Sequence, residues 1–341
     1  MGAAEAQSVV ARVLVTGHPY GDGIETILLA NGIEVTRGNP PTPGRIEPVY
    51  SGRPSGLSRV EVVVVSHMDD CTSAIIAAAP RLRGIVSAVI GLDTVDLEAA
   101  DQHDLIVAHG AMEENYLGVA EATVMLIGAL LLDLPGKERA FHTNAVEPEM
   151  RGHMVRGKTI GLVGLGRAAR GVWERLQGWD VQVVAHDPFV HDAPPGIRIT
   201  SMPELLATSD VVSLHVMLNE TTRGMIGEEE LSLMKPDAFL INTARGSVVD
   251  EGALLRTLAS GSIAGAALDV FDQEPLPLDH PLRRLDNVIL TPHAVGHSRE
   301  LWDAIPRVAA EQVMAILEGR PPRFVANRHV LSRWQTRLAV Q

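Results

Sequence analysis

The chain has 341 residues, 46% of them hydrophobic and 21% charged, which is ordinary globular usage, excludes a disordered chain and favours two domains over one. Its formal charge of −13, from 42 acidic against 29 basic residues, comes with no basic run, so nucleic acid is not an expected partner. An anionic substrate would need a locally placed cation.

The N-terminal stretch MGAAEAQSVV has no basic segment followed by an apolar core, so no signal peptide is expected. The first elements then read β-α-β: RVLVTG (12–17), IETILLANG (24–32) stopping at Gly32, and IEVTRG (33–38). The Pro/Gly-rich stretch 38–48 interrupts as a loop. VEVVVVS (60–66) has the continuous β-branched character of a strand buried on both faces. The single cysteine, Cys71, cannot form an internal disulfide and reads as a small, half-buried residue at a helix start, in keeping with a reducing, cytoplasmic setting, although one cysteine also suits a disulfide-free secreted protein. A helix over 72–82 and a strand over 83–91 complete a small parallel α/β unit.

From Met112 the pattern changes to a long apolar helix, 116–134. Its longest apolar stretch, 122–132, is too short to span a bilayer, so no membrane partner is expected. A second α/β series follows, with strands at 159–166, 180–187, 210–216, 238–244, 263–270 and 287–292 separated by helical stretches. Six strands alternating with helices predict a doubly wound parallel sheet. The last fifty or so residues contain a helix, 299–319, that could return to the first unit.

Gly164-Leu165-Gly166-Arg167-Ala168-Ala169 lies between a strand and a helix and fits the G-x-G-x-x-G/A pattern. In that pattern the first glycine makes a tight turn, the second lets backbone approach a pyrophosphate at the helix N-terminus, and a small third residue permits close packing. Asp187 ends the next strand, roughly 20 residues on, where a carboxylate bonds adenosine ribose hydroxyls and repels a 2′-phosphate. NAD is therefore the expected cofactor, with a plain capping role as the other reading of Asp187.

Three more strand ends bear on chemistry. Arg245 follows the fourth strand of this series, Asp269 and Glu274 the fifth, and His293 the sixth. Taken singly, a strand-end arginine reads as a solvated charge and a histidine as structural. Together at the ligand edge of a nicotinamide-binding sheet they suit reduction of a 2-oxo acid. Arginine holds the carboxylate as a planar fork, histidine supplies a proton, and a carboxylate supports the imidazolium.

The stretches GLVGLGRAARGV, LMKPDAFLINTARGSVVDEGALLRTLASGSIAGAALDVFDQEPL and NVILTPHAVGHS closely resemble the D-isomer-specific 2-hydroxyacid dehydrogenases, with a weaker likeness at RGIVSAVIGLDTVDLEAA and VAEATVMLIGALLL. The resemblance implies two parallel α/β domains: a flavodoxin-like substrate domain, 1–112 with 298–341, and a Rossmann NAD-binding domain, 113–297. It implies Arg245, Glu274 and His293 as catalytic residues, Asp269 against the nicotinamide carboxamide, and a homodimer through the helix after Met112. The cofactor set it implies is Gly164, Gly166, Arg167, Ala168, Asp187, His215, Thr243, Ala244, Asp269, His293 and Gly296. The substrate set is Ser66, His67, Val89, Ile90, Gly91 and Arg245, for a small anionic 2-oxo or 2-hydroxy acid. No metal is expected. Glu274 separates the chain from formate dehydrogenases, which resemble this pattern but have glutamine there.

The sequence also departs from the family. Ser66 and Ser87 stand where phosphoglycerate dehydrogenases carry arginines, and the chain stops at Gln341 without their regulatory domain, which disfavours that substrate. Val89 replaces a usual glycine, Met217 a usual proline, and His67 and His297 are unusual additions that could meet a polar group of the substrate. The competing readings are an NAD(H)-sensing protein like the corepressors that share this fold, and a dehydrogenase of another acceptor such as phosphite.

Overall fold

The computed structural model describes residues 12–16, 20–38, 57–66, 71–144 and 152–340. In chain order the elements begin β1 (Val13–Val15), α1 (Gly21–Ala30), β2 (Val35–Arg37), β3 (Val62–Val65), α2 (Ser73–Ala78), β4 (Gly84–Ser87), α3 (Leu97–Gln102) and β5 (Ile106–Ala108). Two helices follow, α4 (Glu113–Leu131) and α5 (Leu134–His142). The second series is β6 (Thr159–Val163), α6 (Arg167–Arg175), β7 (Gln182–His186), β8 (Ile197–Ile199), α7 (Met202–Thr208), β9 (Val211–Leu214), α8 (Glu228–Leu233), β10 (Phe239–Asn242), α9 (Glu251–Ala259), β11 (Gly265–Leu268) and β12 (Val288–Leu290). The chain closes with α10 (Arg299–Leu317) and α11 (Leu331–Val340).

The chain divides into two compact units, Met1–Asn115 with Ser298–Gln341, and Tyr116–His297. The first holds a five-stranded sheet in the order β2-β1-β3-β4-β5, the flavodoxin-like arrangement. All of its pairings are parallel. The Val62–Val65 run alternates between two cores: Val62 and Val64 pack with α1 and α10, and Val63 and Val65 with Ile76, Leu82 and Leu105. A strand covered on both faces needs apolar residues at every position, hence the unbroken valines.

The C-terminal segment belongs to this first unit. Leu301, Ile305, Val313 and Ile316 of α10 enter its core, and Trp334 of α11 is fully buried there, its indole N–H donating to the Arg83 carbonyl at 2.8 Å. Buried Asn327 accepts from the Val107 N–H at 2.8 Å and donates to the Leu105 carbonyl at 2.9 Å, which ties the returning chain to β5.

The second unit holds a seven-stranded parallel sheet in the order β12-β11-β10-β9-β6-β7-β8. Cores cover both of its faces. The order reverses beside β6, the switch point at which such sheets bind dinucleotides.

Several expectations are corrected. The second sheet has seven strands, not six, because β8 is a three-residue edge strand with two exposed positions and hence no apolar run to mark it. The strand expected over 83–91 stops at Ser87, whose hydroxyl donates to the Gly91 carbonyl at 2.8 Å and closes 88–91 into a loop. Cys71 is fully buried, bridged to Val95, with its thiol pushed up to about 12 by burial and by the nearby Asp96 charge. The helix that carries the apolar stretch 122–132, α4, has the length and composition of a membrane span, a property that core helices of globular domains share. Ala120, Val124, Ile127, Leu130 and Leu131 of α4 are nonetheless buried in the core of the second unit, as in the core helix of a globular domain.

Candidate active site

All strands of the second sheet run parallel, so their C-terminal ends share one edge. Going along it, His293 follows β12, Asp269 and Glu274 follow β11, Arg245 follows β10, His215 follows β9, Gly164 follows β6 and Asp187 follows β7. The sheet thus places the expected catalytic residues after three adjacent strands and, beyond β9 on the same edge, the glycine loop after β6 and its aspartate after β7.

The acid–base pair is formed. His293 Nδ1 lies 2.7 Å from Glu274 Oε2, and the other carboxylate oxygen, Oε1, accepts from the Phe271 N–H at 3.0 Å. With both oxygens held, the carboxylate fixes the imidazole rotamer. His293 itself adopts a left-handed φ of 53°, a strained conformation for a residue with a Cβ.

Asp269 supplies the restraint that holds that turn. It is 5% exposed, and its Oδ1 accepts from the Thr291 hydroxyl at 2.6 Å and from the N–H groups of Ala294 and Val295 at 2.9 and 3.1 Å. Its backbone carbonyl accepts from the His293 N–H at 2.7 Å. The resemblance implies a place for Asp269 against the nicotinamide carboxamide; its side chain also builds the histidine loop.

Arg245 stands in extended backbone at φ −145° and ψ 144°, half-buried, with Nη1 donating to the Ala244 carbonyl at 2.7 Å. It is therefore not the solvated charge that a strand-end arginine taken singly suggests. Asn242, buried at the end of β10, shapes this loop: its Nδ2 donates to the Arg245 carbonyl at 2.9 Å and its Oδ1 accepts from the Ala244 N–H at 3.1 Å. Sequence reasoning passed over Asn242, although a polar residue ending an apolar strand run is the available signal. Gly246 is needed for close approach, since a Cβ there would lie 2.0 Å from the Phe271 carbonyl carbon.

The glycine loop fits a dinucleotide. Gly164 has φ +87°, and a Cβ there would crowd the His215 carbonyl at 3.0 Å. A Cβ on Gly166 would meet nothing, and no side chain caps α6 at that residue, so its first-turn N–H groups have room for an anion. Arg167 opens α6, its guanidinium 5.0 Å from the Tyr116 ring centroid, and Ala168 follows, half-buried. Asp187 accepts from the Leu165 N–H at 2.8 Å and the Phe189 N–H at 2.9 Å, tying the loop to β7 while each oxygen keeps a further lone pair. It caps no helix. Next to Arg245, the buried Thr243 hydroxyl has no hydrogen-bond partner among the described residues, an orphan that a bound carboxamide could satisfy.

Gly296 and His215, the other two residues of the expected cofactor set, are both closely packed. Gly296 packs on α4, where a Cβ would lie 2.9 Å from Val119 N. His215, with Nε2 3.0 Å from Ser213 Oγ, is pushed down to about 4 by burial and stays neutral. His297 is also lowered: desolvation leads, the Asp269 carboxylate opposes it and His293 adds to it.

In the first unit, Ser66 is fully buried after β3, Val89 packs half-buried against the core, Ile90 is 38% exposed and Gly91 accepts from Ser87. His67 lies outside the described residues. Among the described residues no cluster of metal-ligating side chains occurs.

Fold and strand-end groups together define a class, the doubly wound dinucleotide-binding oxidoreductases that pair an arginine with a histidine–carboxylate dyad. The profile of one family in that class, described as D-isomer specific 2-hydroxyacid dehydrogenase, NAD binding domain, matches residues 124–295. A glyoxylate reductase of Thermofilum pendens is 39% identical over 274 residues, 77% of this chain and 80% of that one. A D-3-phosphoglycerate dehydrogenase of Archaeoglobus fulgidus is 34% identical over 80% of this chain but only 52% of its own. The crystal structure of a D-lactate dehydrogenase from Aquifex aeolicus, complexed with NAD and lactic acid, superposes with a TM-score of 0.79 at 28% identity, covering 90% of this chain and 96% of that one. The chain belongs to the D-isomer-specific 2-hydroxyacid dehydrogenase family, NAD-binding oxidoreductases that act on the CH–OH group of 2-hydroxy acids.

Proposed function

We propose that the protein reduces a small anionic 2-oxo acid to the D-2-hydroxy acid with NADH and catalyses the reverse oxidation with NAD. The observation that carries this reading is the 2.7 Å contact between His293 Nδ1 and Glu274 Oε2, beside the strand that leads into Arg245.

When bound, the nicotinamide supplies the hydride that reduces the carbonyl carbon. Arg245 forks onto the substrate carboxylate and orients the carbonyl. Glu274, engaging Nδ1, turns the other ring nitrogen of His293 toward the substrate, and that nitrogen gives its proton to the developing alkoxide. Thr243, Ala244 and Asp269 would border the nicotinamide, the backbone of Gly164, Gly166, Arg167 and Ala168 the pyrophosphate, and Asp187 the ribose. The Asp187 charge, together with the absence of any arginine in the following PFVHD, favours NAD over NADP.

The unit formed by the two chain ends is the substrate domain in this reading, with Ser66, Val89, Ile90 and Gly91 as its recognition residues. A homodimer is supported by the apolar side chains that α4 and α5 leave exposed: Met125 at 71%, Leu134 at 60% and Phe141 at 82%. A cytoplasmic location agrees with the lone, buried thiol.

The test is NADH consumption by purified protein with glyoxylate, pyruvate, hydroxypyruvate, phenylpyruvate, 2-oxoglutarate and 3-phosphohydroxypyruvate, repeated with NADPH and with Arg245→Ala. Turnover with one of these acids that the substitution abolishes is expected. NADH binding without turnover on any of them would transfer the assignment to an NAD(H)-sensing protein or to a dehydrogenase of an acceptor outside this panel.

A further inference from the structure

Glu274 reaches His293 from an irregular segment, 271–280, whose own attachment decides where the carboxylate stands. Phe271 and Leu276 anchor the segment in the core, but Asp272, Gln273 and Pro275 around Glu274 are exposed. Arg283 donates to the Pro277 and Leu276 carbonyls, both at 2.8 Å, and a second side chain from outside the segment also grips it at two points. Glu251, the first residue of α9, accepts from the Asp272 N–H through Oε2 at 3.4 Å, and its Oε1 lies 3.2 Å from His280 Nε2. Both side chains of the Glu251–His280 pair are mostly buried, 22% and 19% exposed, so the contact is partly shielded from solvent.

The same region couples the segment to the arginine loop. Gly246 packs on the Phe271–Asp272 peptide, and the Ser247 hydroxyl donates to Asp272 Oδ1 at 2.8 Å. Glu251 lies a few residues beyond Arg245, at the start of the helix that the arginine loop feeds. Glu251 therefore joins Gly246 and Ser247 in connecting the element that presents the arginine to the segment that presents the acid–base glutamate.

We propose that Glu251 is a positioning residue for the reaction, holding segment 271–280 so that Glu274 meets His293 while Arg245 keeps its place. The inference rests on the dehydrogenase reading above. Glu251 touches neither reacting atom, and it acts through Glu274. A displacement of about 1 Å at such a dyad can lower the rate by up to about a hundredfold.

The experiment compares wild type, Glu251→Ala, Glu251→Gln and His280→Ala by steady-state kinetics, NADH titration and amide hydrogen exchange of 271–280. Glu251→Ala is expected to lower kcat about tenfold, with KM and NADH affinity within about twofold, because only the acid–base geometry is disturbed. Glu251→Gln, which keeps the shape and one acceptor oxygen, should recover most of kcat. His280→Ala, which leaves α9 intact and serves if Glu251→Ala does not fold, should give a smaller loss of the same kind. Amide exchange in 271–280 should rise about tenfold in Glu251→Ala and return toward wild type in Glu251→Gln, a readout that needs no substrate. Unchanged exchange and unchanged kcat would overturn the proposal, as would a loss shared equally by NADH binding and not rescued by glutamine. Inactive wild type with the exchange effect present would instead count against the dehydrogenase reading.

Discussion

The C-terminal edges of the two sheets invite comparison. Both sheets are parallel and covered on both faces, yet β10, β11 and β12 of the second lead into Arg245, Asp269 with Glu274, and His293, whereas β3 and β4 of the first lead into Ser66 and Ser87, both buried. One edge gathers ionisable groups and holds them with buried polar partners. At the ends of β3 and β4 the other presents small hydroxyls, with a short loop closed by Ser87 on the Gly91 carbonyl. The same architecture thus supports opposite chemistry, and the groups at the strand ends, not the fold, decide where reaction can occur.

The sharpest break in that comparison is His293→Asn, which leaves Glu274 with no proton to position. Turnover should fall about 10²–10⁴-fold with NADH binding retained, measured by kinetics and by cofactor fluorescence. Arg245→Ala follows, with kcat/KM down about 10²–10³-fold and no full recovery in Arg245→Lys, because an ammonium lacks the planar fork. If lysine restored full activity, the arginine would be acting as a point charge only.

The third prediction concerns stability. His215, pushed down to about 4, resists a proton that the unfolded chain accepts near its ordinary 6.5. Its stabilisation is present above about pH 6.5 and is lost as pH falls toward 4, by about 3 kcal/mol at most. Urea unfolding at neutral and acid pH should show wild type losing more than His215→Asn; equal losses would place the acid sensitivity elsewhere. Asp187→Ala should weaken NADH binding roughly tenfold, the value of one charged hydrogen bond, and narrow the preference over NADPH. Smallest is Ser87→Ala at the other edge, about 1 kcal/mol of stability for its bond to Gly91, read from the urea midpoint.

Much of this edge was legible in the chain. Runs such as VEVVVVS and AFLINTA mark strands buried on both faces, and the glycine pattern with Asp187 beyond it marks the nucleotide turn. What escaped was short or half-exposed: β5 and β8 have three residues each, and α3 and α11 carry too many polar residues to announce a core face. Strand ends were overrun for the same reason, since Ala88 and Val89 are apolar although Ser87 has already turned the chain.

The sequence by itself determined the alternation of strands and helices, the dinucleotide loop and the residue types at the ligand edge, because periodicity and side-chain chemistry act over a few neighbouring residues. Tertiary structure alone decided which distant groups meet. Asp269 became the brace of the histidine turn, and Glu251 the clasp on the Glu274 segment. Those contacts depend on the order β12-β11-β10, and a strand order is set by long-range pairing that leaves no mark on local sequence.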